Sequence, residues 1–299
     1  MLKQITALLS VGWLMLPAAC ALGEPSPRGP ATGAAGEEKQ PDKSQFTLWN
    51  PTPSELLREM EALYRSPYTV DAGHVQIETY ALGYVYGRDR HNGADVETEI
   101  WRIAPTTLKL GVLNTLELEV DFAPHTRLRT TDRVTGQTTL QSGFGDITPK
   151  AKLNLLGNDA GSVALALMPY VKLPTSQDHL GNGSVEGGLV LPMNFELPGG
   201  FWFALSPEVS FLKHPVRGGY SPGFGNVTYL WHEIVGTLSG YVEFSSWVNF
   251  GQASEWVGTA DVGFTYMLTR DLQLDTGVLV GVTRAAPEVN PFLGVSIRF

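Results

Sequence analysis

The chain is short of the features that mark helical membrane proteins, disulfide scaffolds and metal sites. Of 299 residues only Cys20 is a cysteine. Beyond residue 21 no run of 18 apolar residues occurs, so no segment is long enough for a transmembrane helix. Hydrophobic content is 43%, also low for a helical membrane protein. Positive charge is scarce. The 21 Lys and Arg face 30 Asp and Glu, a net charge of -9, which excludes nucleic acid as a partner because phosphates need a basic face. Metal-ligand spacings of the His-x-x-x-His or Glu-x-x-His kind and cysteine pairs are missing, so no metal is expected. There is no Gly-x-Ser-x-Gly. Gly143-Phe144-Gly145 and Gly223-Phe224-Gly225 do not open a helix after a strand, so no dinucleotide cofactor is implied.

What is present begins with an export signal. Lys3 supplies the positive start, Ile5 to Leu16 an apolar run of h-region length, and Ala19-Cys20-Ala21 a small-x-small cleavage pattern. Residues 1–21 are thus read as a signal peptide, with acylation at Cys20 as the alternative to cleavage after Ala21. Residues 22–45, rich in Pro, Gly, Ala and charge, read as a disordered linker. Residues 46–72 read as a periplasmic segment capping the barrel end. Within it Thr52 and Glu55 form a capping box, Pro53 sits at the first helical position, and Leu56, Leu57, Met60 and Leu63 make an apolar stripe, which predicts a short helix over about 53–64.

From Gly73 to Phe299 the period is two. Leu116, Leu118, Val120 and Phe122 alternate with Glu117, Glu119 and Asp121, and five further segments of this kind begin near Val163, Val185, Phe201, Val242 and Leu272. Less regular strands cover about 74–87, 96–111, 143–156, 226–235 and 256–268. The last strand carries Leu293, Val295, Ile297 and Phe299 on one face and Phe292, Gly294, Ser296 and Arg298 on the other. It resembles the terminal strand that the barrel-assembly machinery reads in bacterial outer-membrane proteins. The total is about twelve strands.

Short connections near 113–114, 157–159, 198–200, 236–237 and 269–271 alternate with longer ones near 88–95, 131–142, 175–184, 214–225, 251–255 and 284–290. Transmembrane barrels alternate periplasmic turns and outer loops in this way. The expected fold is all-β, an antiparallel up-and-down barrel in outer-membrane lipid, closed because only closure satisfies every strand backbone in hydrocarbon. Tyr84, Tyr86, Trp101, Phe201, Tyr241, Trp256, Tyr266 and Phe299 lie near strand ends, where aromatic rings favour the membrane boundary. A soluble β-sandwich would instead need its apolar faces to pack on each other.

With the apolar face on lipid, the charged face lines the lumen. Glu117, Glu119, Asp121, Glu186, Glu196, Glu208, Glu243, Asp261 and Asp275 then point inward, with Lys109, Lys150, Lys152, Lys172 and Arg298. Folding about a loop at 131–142 sets Asp121 opposite Lys152, with Lys150 one step along. Nine acids against five bases predict cation preference in an open pore. Twelve strands fall between filled small barrels and wide porins, so a plugged lumen stays open as an alternative. For an enzyme, the pairing to check is His232-Glu233 beside Ser245 or Ser246.

Asn50-Pro51-Thr52-Pro53-Ser54-Glu55-Leu56-Leu57-Arg58-Glu59-Met60 and Ser66-Pro67-Tyr68-Thr69-Val70-Asp71-Ala72-Gly73-His74-Val75-Gln76-Ile77-Glu78 resemble the opening of the outer-membrane transporter family labelled "MetA-pathway of phenol degradation". Gly145-Asp146-Ile147-Thr148-Pro149-Lys150-Ala151-Lys152 and Asp271-Leu272-Gln273-Leu274-Asp275-Thr276-Gly277 are similar to its later strands. Family members usually carry Asp-Arg-Pro-Asp before the Ser-Pro-Tyr-Thr-Val segment, where Glu61-Ala62-Leu63-Tyr64-Arg65 stands here. The resemblance implies a porin-like barrel passing small molecules, with aromatic compounds as candidate solutes, and brings no catalytic residues.

Overall fold

The computed structural model describes residues 42–60, 65–91, 93–214, 218–250 and 256–299. The signal peptide and residues 22–41 of the linker lie outside the described residues. Sixteen ladder segments run along the chain: β1 (Val75–His91), β2 (Ala94–Ile103), β3 (Thr106–Leu113), β4 (Leu116–Phe122), β5 (His125–Asp132), β6 (Thr138–Gly143), β7 (Thr148–Leu156), β8 (Val163–Lys172), β9 (Glu186–Val190), β10 (Met193–Glu196), β11 (Phe201–Lys213), β12 (Tyr220–Val235), β13 (Leu238–Asn249), β14 (Trp256–Thr269), β15 (Leu272–Gly281) and β16 (Val289–Arg298). Four pairs, β2–β3, β4–β5, β6–β7 and β9–β10, each continue one strand across a kink, leaving twelve strands. Every pairing is antiparallel between neighbours, and β16 pairs back onto β1, so the barrel closes.

Three of the four breaks fall at prolines. Pro105, Pro124 and Pro192 cannot donate to a ladder, and the strands resume in unchanged register on either side. Ala104 takes φ 47° at the first of them.

The alternation expected from the sequence sorts the side chains. Along β4, Glu117, Glu119 and Asp121 are buried while Leu118 is exposed. Along β16, Asn290, Phe292, Gly294, Ser296 and Arg298 face in, and Pro291 and Leu293 face out. Leu108, Leu153, Phe211, Val242, Phe264 and Leu293 are each exposed on the outer surface. On β2–β3 the outward set runs from Val112 to Trp101. The eleven steps between them give about 36 Å along the strand, or about 28 Å of height at a tilt near 40°, the thickness of a hydrocarbon core.

Phe201, Trp256, Tyr266 and Phe299 are exposed as expected, and Tyr84 stacks near Trp101 at 4.4 Å on the outer face. Tyr241 is different: it is 3% exposed and points inward.

Two expected long loops are hairpin turns. β1 runs to His91 and β2 resumes at Ala94, while β5 and β6 are joined by 133–137. The carboxylate of Asp132 accepts from the backbone N–H of Val134 and Thr135, and Arg88 grips Asp95 through two 2.6 Å bonds. These polar caps let the strands continue past the apolar belt. The shorter turn also resets the register: Lys152 faces Glu117 and Lys150 faces Glu119, whereas Asp121 faces Thr148 rather than Lys152.

The predicted helix does not form among the described residues. Ser54–Leu56 make one 3-10 turn, Leu57 is extended, and 61–64 lie outside the described residues. Pro53 occupies the cap position, and Thr52 does not cap. A helix this short is marginal in isolation. Here the backbone N–H of Arg58 is drawn to the Asp71 carboxylate instead (2.9 Å).

Candidate functional site

The inward faces divide the lumen into two walls. On the strands from β1 to β9 the charges pair. Lys152 Nζ lies 2.5 Å from Glu117 and 3.1 Å from Glu119, Lys150 lies 2.7 Å from Asp121, and Lys109 lies 2.5 Å from Glu78. Lys172 bridges Asp146 (3.1 Å) and Glu186 (3.2 Å). The expected ladder of carboxylates facing lysines is thus present in the shifted register.

The opposite wall, on β11 to β16, is aromatic. Tyr229, Trp231, Tyr241 and Phe292 are buried together with Ala204 and Leu279, and Tyr80 and Trp202 pack against them. Several rings sit over glycines directly across the ladder: Tyr241 pairs Gly263 and Phe292 pairs Gly277. A Cβ at either glycine would strike the ring. Carboxylates stand among these rings. Glu243 pairs Asp261 across β13–β14, and Asp275 lies further along β15, next to Gly294. All three are buried. Glu208 is buried too, while Glu196 is exposed at the short-turn end.

The aromatic wall was missed in the sequence. Tyr229 and Trp231 lie on a strand whose alternation is weak, because Phe224, Leu230 and Ile234 on the other parity are equally apolar. Their shared parity with Gly225 was the available signal.

The largest difference concerns residues 46–72. Residues 46–58 lie at the short-turn end, where Thr47 bridges Leu113 and Arg270 donates to the Ser54 and Leu57 carbonyls, whereas residues 65–70 lie inside the lumen. The Tyr68 carbonyl accepts from Lys152 Nζ (3.0 Å), the Pro67 carbonyl from Asn154 Nδ2 (2.9 Å), and the Val70 N–H donates to Glu117 Oε2 (2.5 Å). Deeper still, the Arg65 carbonyl accepts from Ser206 Oγ (3.3 Å), and its guanidinium reaches Glu208 (2.5 Å) and the Trp247 ring (5.7 Å). The charged wall therefore binds the segment's backbone as well as its own counter-ions.

Arg58 anchors the same segment at the short-turn end. Its guanidinium donates to Asn114 Oδ1 (2.7 Å), Asp159 Oδ1 (2.8 Å) and the Thr69 carbonyl (2.8 Å). Lys43, from the linker read as disordered, adds a 3.0 Å contact to Asp159. Burial pushes the Asp159 carboxyl up, but Arg58, Asn114 and Lys43 outweigh it and hold it below the usual carboxylate range. Arg58, Met60, Tyr68, Glu117 and Trp202 help to line a recess of about 220 Å³ between the two walls.

The candidate hydrolytic pairing does not assemble. His232 faces Gly240 and lies 3.1 Å from the Gly199 carbonyl, whereas Ser245 faces Val227 and donates to Glu243 (2.8 Å). Five residues of strand separate them, about 17 Å.

With this geometry in place, comparison with known proteins assigns the chain. Residues 64–299 match the family described as MetA-pathway of phenol degradation. The chain belongs to this family. An outer membrane channel from Pseudomonas putida F1 aligns with a TM-score of 0.58 at 14% identity, covering 76% of this chain and 95% of that chain. The transport unit of the autotransporter AIDA-I from Escherichia coli gives 0.49 at 11% identity over 76% and 90% of the two chains. The NanC porin gives 0.48 at 8% identity over 75% and 98%. Among curated proteins no match is found. The 14% likeness bears on fold, and the fold of this family member is that of an outer-membrane barrel.

Proposed function

We propose that the protein is a bacterial outer-membrane channel for passive movement of small molecules, with aromatic compounds as its solutes. The observation that carries this reading is the two-walled lumen: paired charges on one side, buried aromatic rings on the other, inside a barrel whose outer surface is apolar. Such a lumen offers a flat apolar solute a face to slide on and its polar edge a row of charges. The family label and the fold of the Pseudomonas putida F1 channel support it.

Residues 65–71 occupy this path, so the resting channel is narrow and passage requires the segment to shift. The same occupancy supports a second reading, a plugged structural barrel without transport.

Reconstitution into liposomes distinguishes the two. The channel reading expects phenol-sized solutes to enter liposomes carrying the full chain faster than protein-free ones, and faster again when Arg58→Ala loosens the anchor. Equal rates in all three preparations would leave only the plugged barrel. Neither reading needs a catalytic group.

A further inference from the structure

The lumen already holds one bound cation, and it belongs to the chain itself. The Arg65 guanidinium is seated between the Glu208 carboxylate (2.5 Å) and the face of Trp247 (5.7 Å to the ring centroid). Tyr170 donates its hydroxyl to the same carboxylate. The seat is enclosed: the Glu208 side chain is 0% exposed and that of Arg65 6%. A carboxylate beside an indole face is the arrangement that selects an organic cation, because the ring quadrupole and the anion act together and both strengthen when water is excluded.

We propose that this seat is a solute site for small aromatic molecules bearing an amidinium, guanidinium or ammonium group, and that such a solute takes the place of Arg65. The proposal rests on the reading of the lumen as a solute path and names the class of solute. Two features favour it over a lock that serves only to hold the segment. First, a buried ion pair is a weak stabiliser, since desolvation offsets the attraction and apolar packing would anchor a segment as well. Second, Arg65 is delivered by the segment and not by the barrel wall, so the seat stays whole when the segment leaves. Glu208 and Trp247 stand on β11 and β13, and Trp247 is supported from below by Gly225 on β12. Val257 and Ala286 are buried against Trp247, and Ala285 packs on them, giving an apolar body somewhere to lie.

The test compares benzamidine with benzamide, its neutral counterpart of equal shape, by calorimetric titration of the full chain refolded in detergent. Arg65→Ala should bind benzamidine about tenfold more tightly than the native chain does, and about tenfold more tightly than it binds benzamide. Adding Glu208→Gln or Trp247→Leu should remove that gain. If Arg65→Ala binds the two probes alike, or binds neither, the proposal is overturned. Should Arg65→Ala not form the heat-resistant barrel, the native chain gives a second reading. Saturating benzamidine should then speed protease cleavage near residues 58–65 and benzamide should not, and equal cleavage would overturn the proposal. Binding is read without conductance, so a barrel that binds benzamidine yet passes no ion would sink the channel reading and leave this one standing. A conducting barrel indifferent to charge would do the reverse.

Discussion

Trp247 lies over a residue with no side chain. Its direct partner across β12–β13 is Gly225, and a Cβ built there would collide with the indole. A ring covering a cross-strand glycine shields the exposed ladder and fixes the ring's own orientation. Tyr241 over Gly263 and Phe292 over Gly277 repeat the device along the same wall. The aromatic wall is therefore a rigid surface made by pairing rings with gaps.

Gly225→Ala should displace the indole. Overpacking of this kind costs about 1–3 kcal/mol. The gel temperature at which the folded barrel converts to the unfolded band should fall, and tryptophan emission should shift. An unchanged transition would mean that the ring has room to move aside.

The apolar outer belt makes a second prediction. Leu118 is 48% exposed on the lipid-facing side of β4. Leu118→Arg should cost about 2–4 kcal/mol if that face meets mid-membrane hydrocarbon. Refolding into vesicles over a urea series measures it. A cost near zero would place this face in water.

Lys152 sits between Glu117 and Glu119 and also holds the Tyr68 carbonyl. Lys152→Met leaves two buried carboxylates without their shared cation, a loss of about 3–5 kcal/mol. Adding Glu117→Gln should restore part of it. If the double variant is no more stable than the single one, the pair is not coupled as the distances indicate.

Acid should loosen the anchor at the short-turn end. Because the folded-state pKa of Asp159 is depressed, its contribution is present above the ordinary carboxylate range and is lost as pH falls through the lowered value. Protease cleavage near Arg58 should rise in that window, and Asp159→Asn should show faster cleavage already at neutral pH. A variant indistinguishable from the native chain at both pH values would remove Asp159 from the anchor.

Much of the barrel was legible because one face meets lipid and the other does not. That demand writes a period of two into β4, β8 and β16, and the terminal strand needed no other information. Register was less legible. The pairing of Lys152 with Glu117 depends on where the 133–137 turn closes, and polar residues on both sides of that turn hide the strand ends. The aromatic wall was hidden for a different reason. Inward and outward rings are the same residue types, so Tyr241 near a strand end looked like a membrane-boundary residue. Least legible was the path of residues 65–71. Its signal lies in complementarity between backbone carbonyls and Lys152, Asn154 and Ser206, far along the chain, and the segment read locally as a cap on the barrel end instead.

The central claim is that solutes pass through the lumen and that the N-terminal segment stands in their way. Thr69→Cys with Asn158→Cys replaces two facing side chains, one on the segment and one on the barrel, whose Thr69 Oγ1 and Asn158 Nδ2 now meet at 3.0 Å. Single-channel current through this variant, oxidised and then reduced in the same bilayer, is the most direct measurement. The account predicts small, steady steps while the bond holds, and larger, cation-preferring steps once it is cut. Identical currents in both states, with the bond verified on a gel, would contradict it.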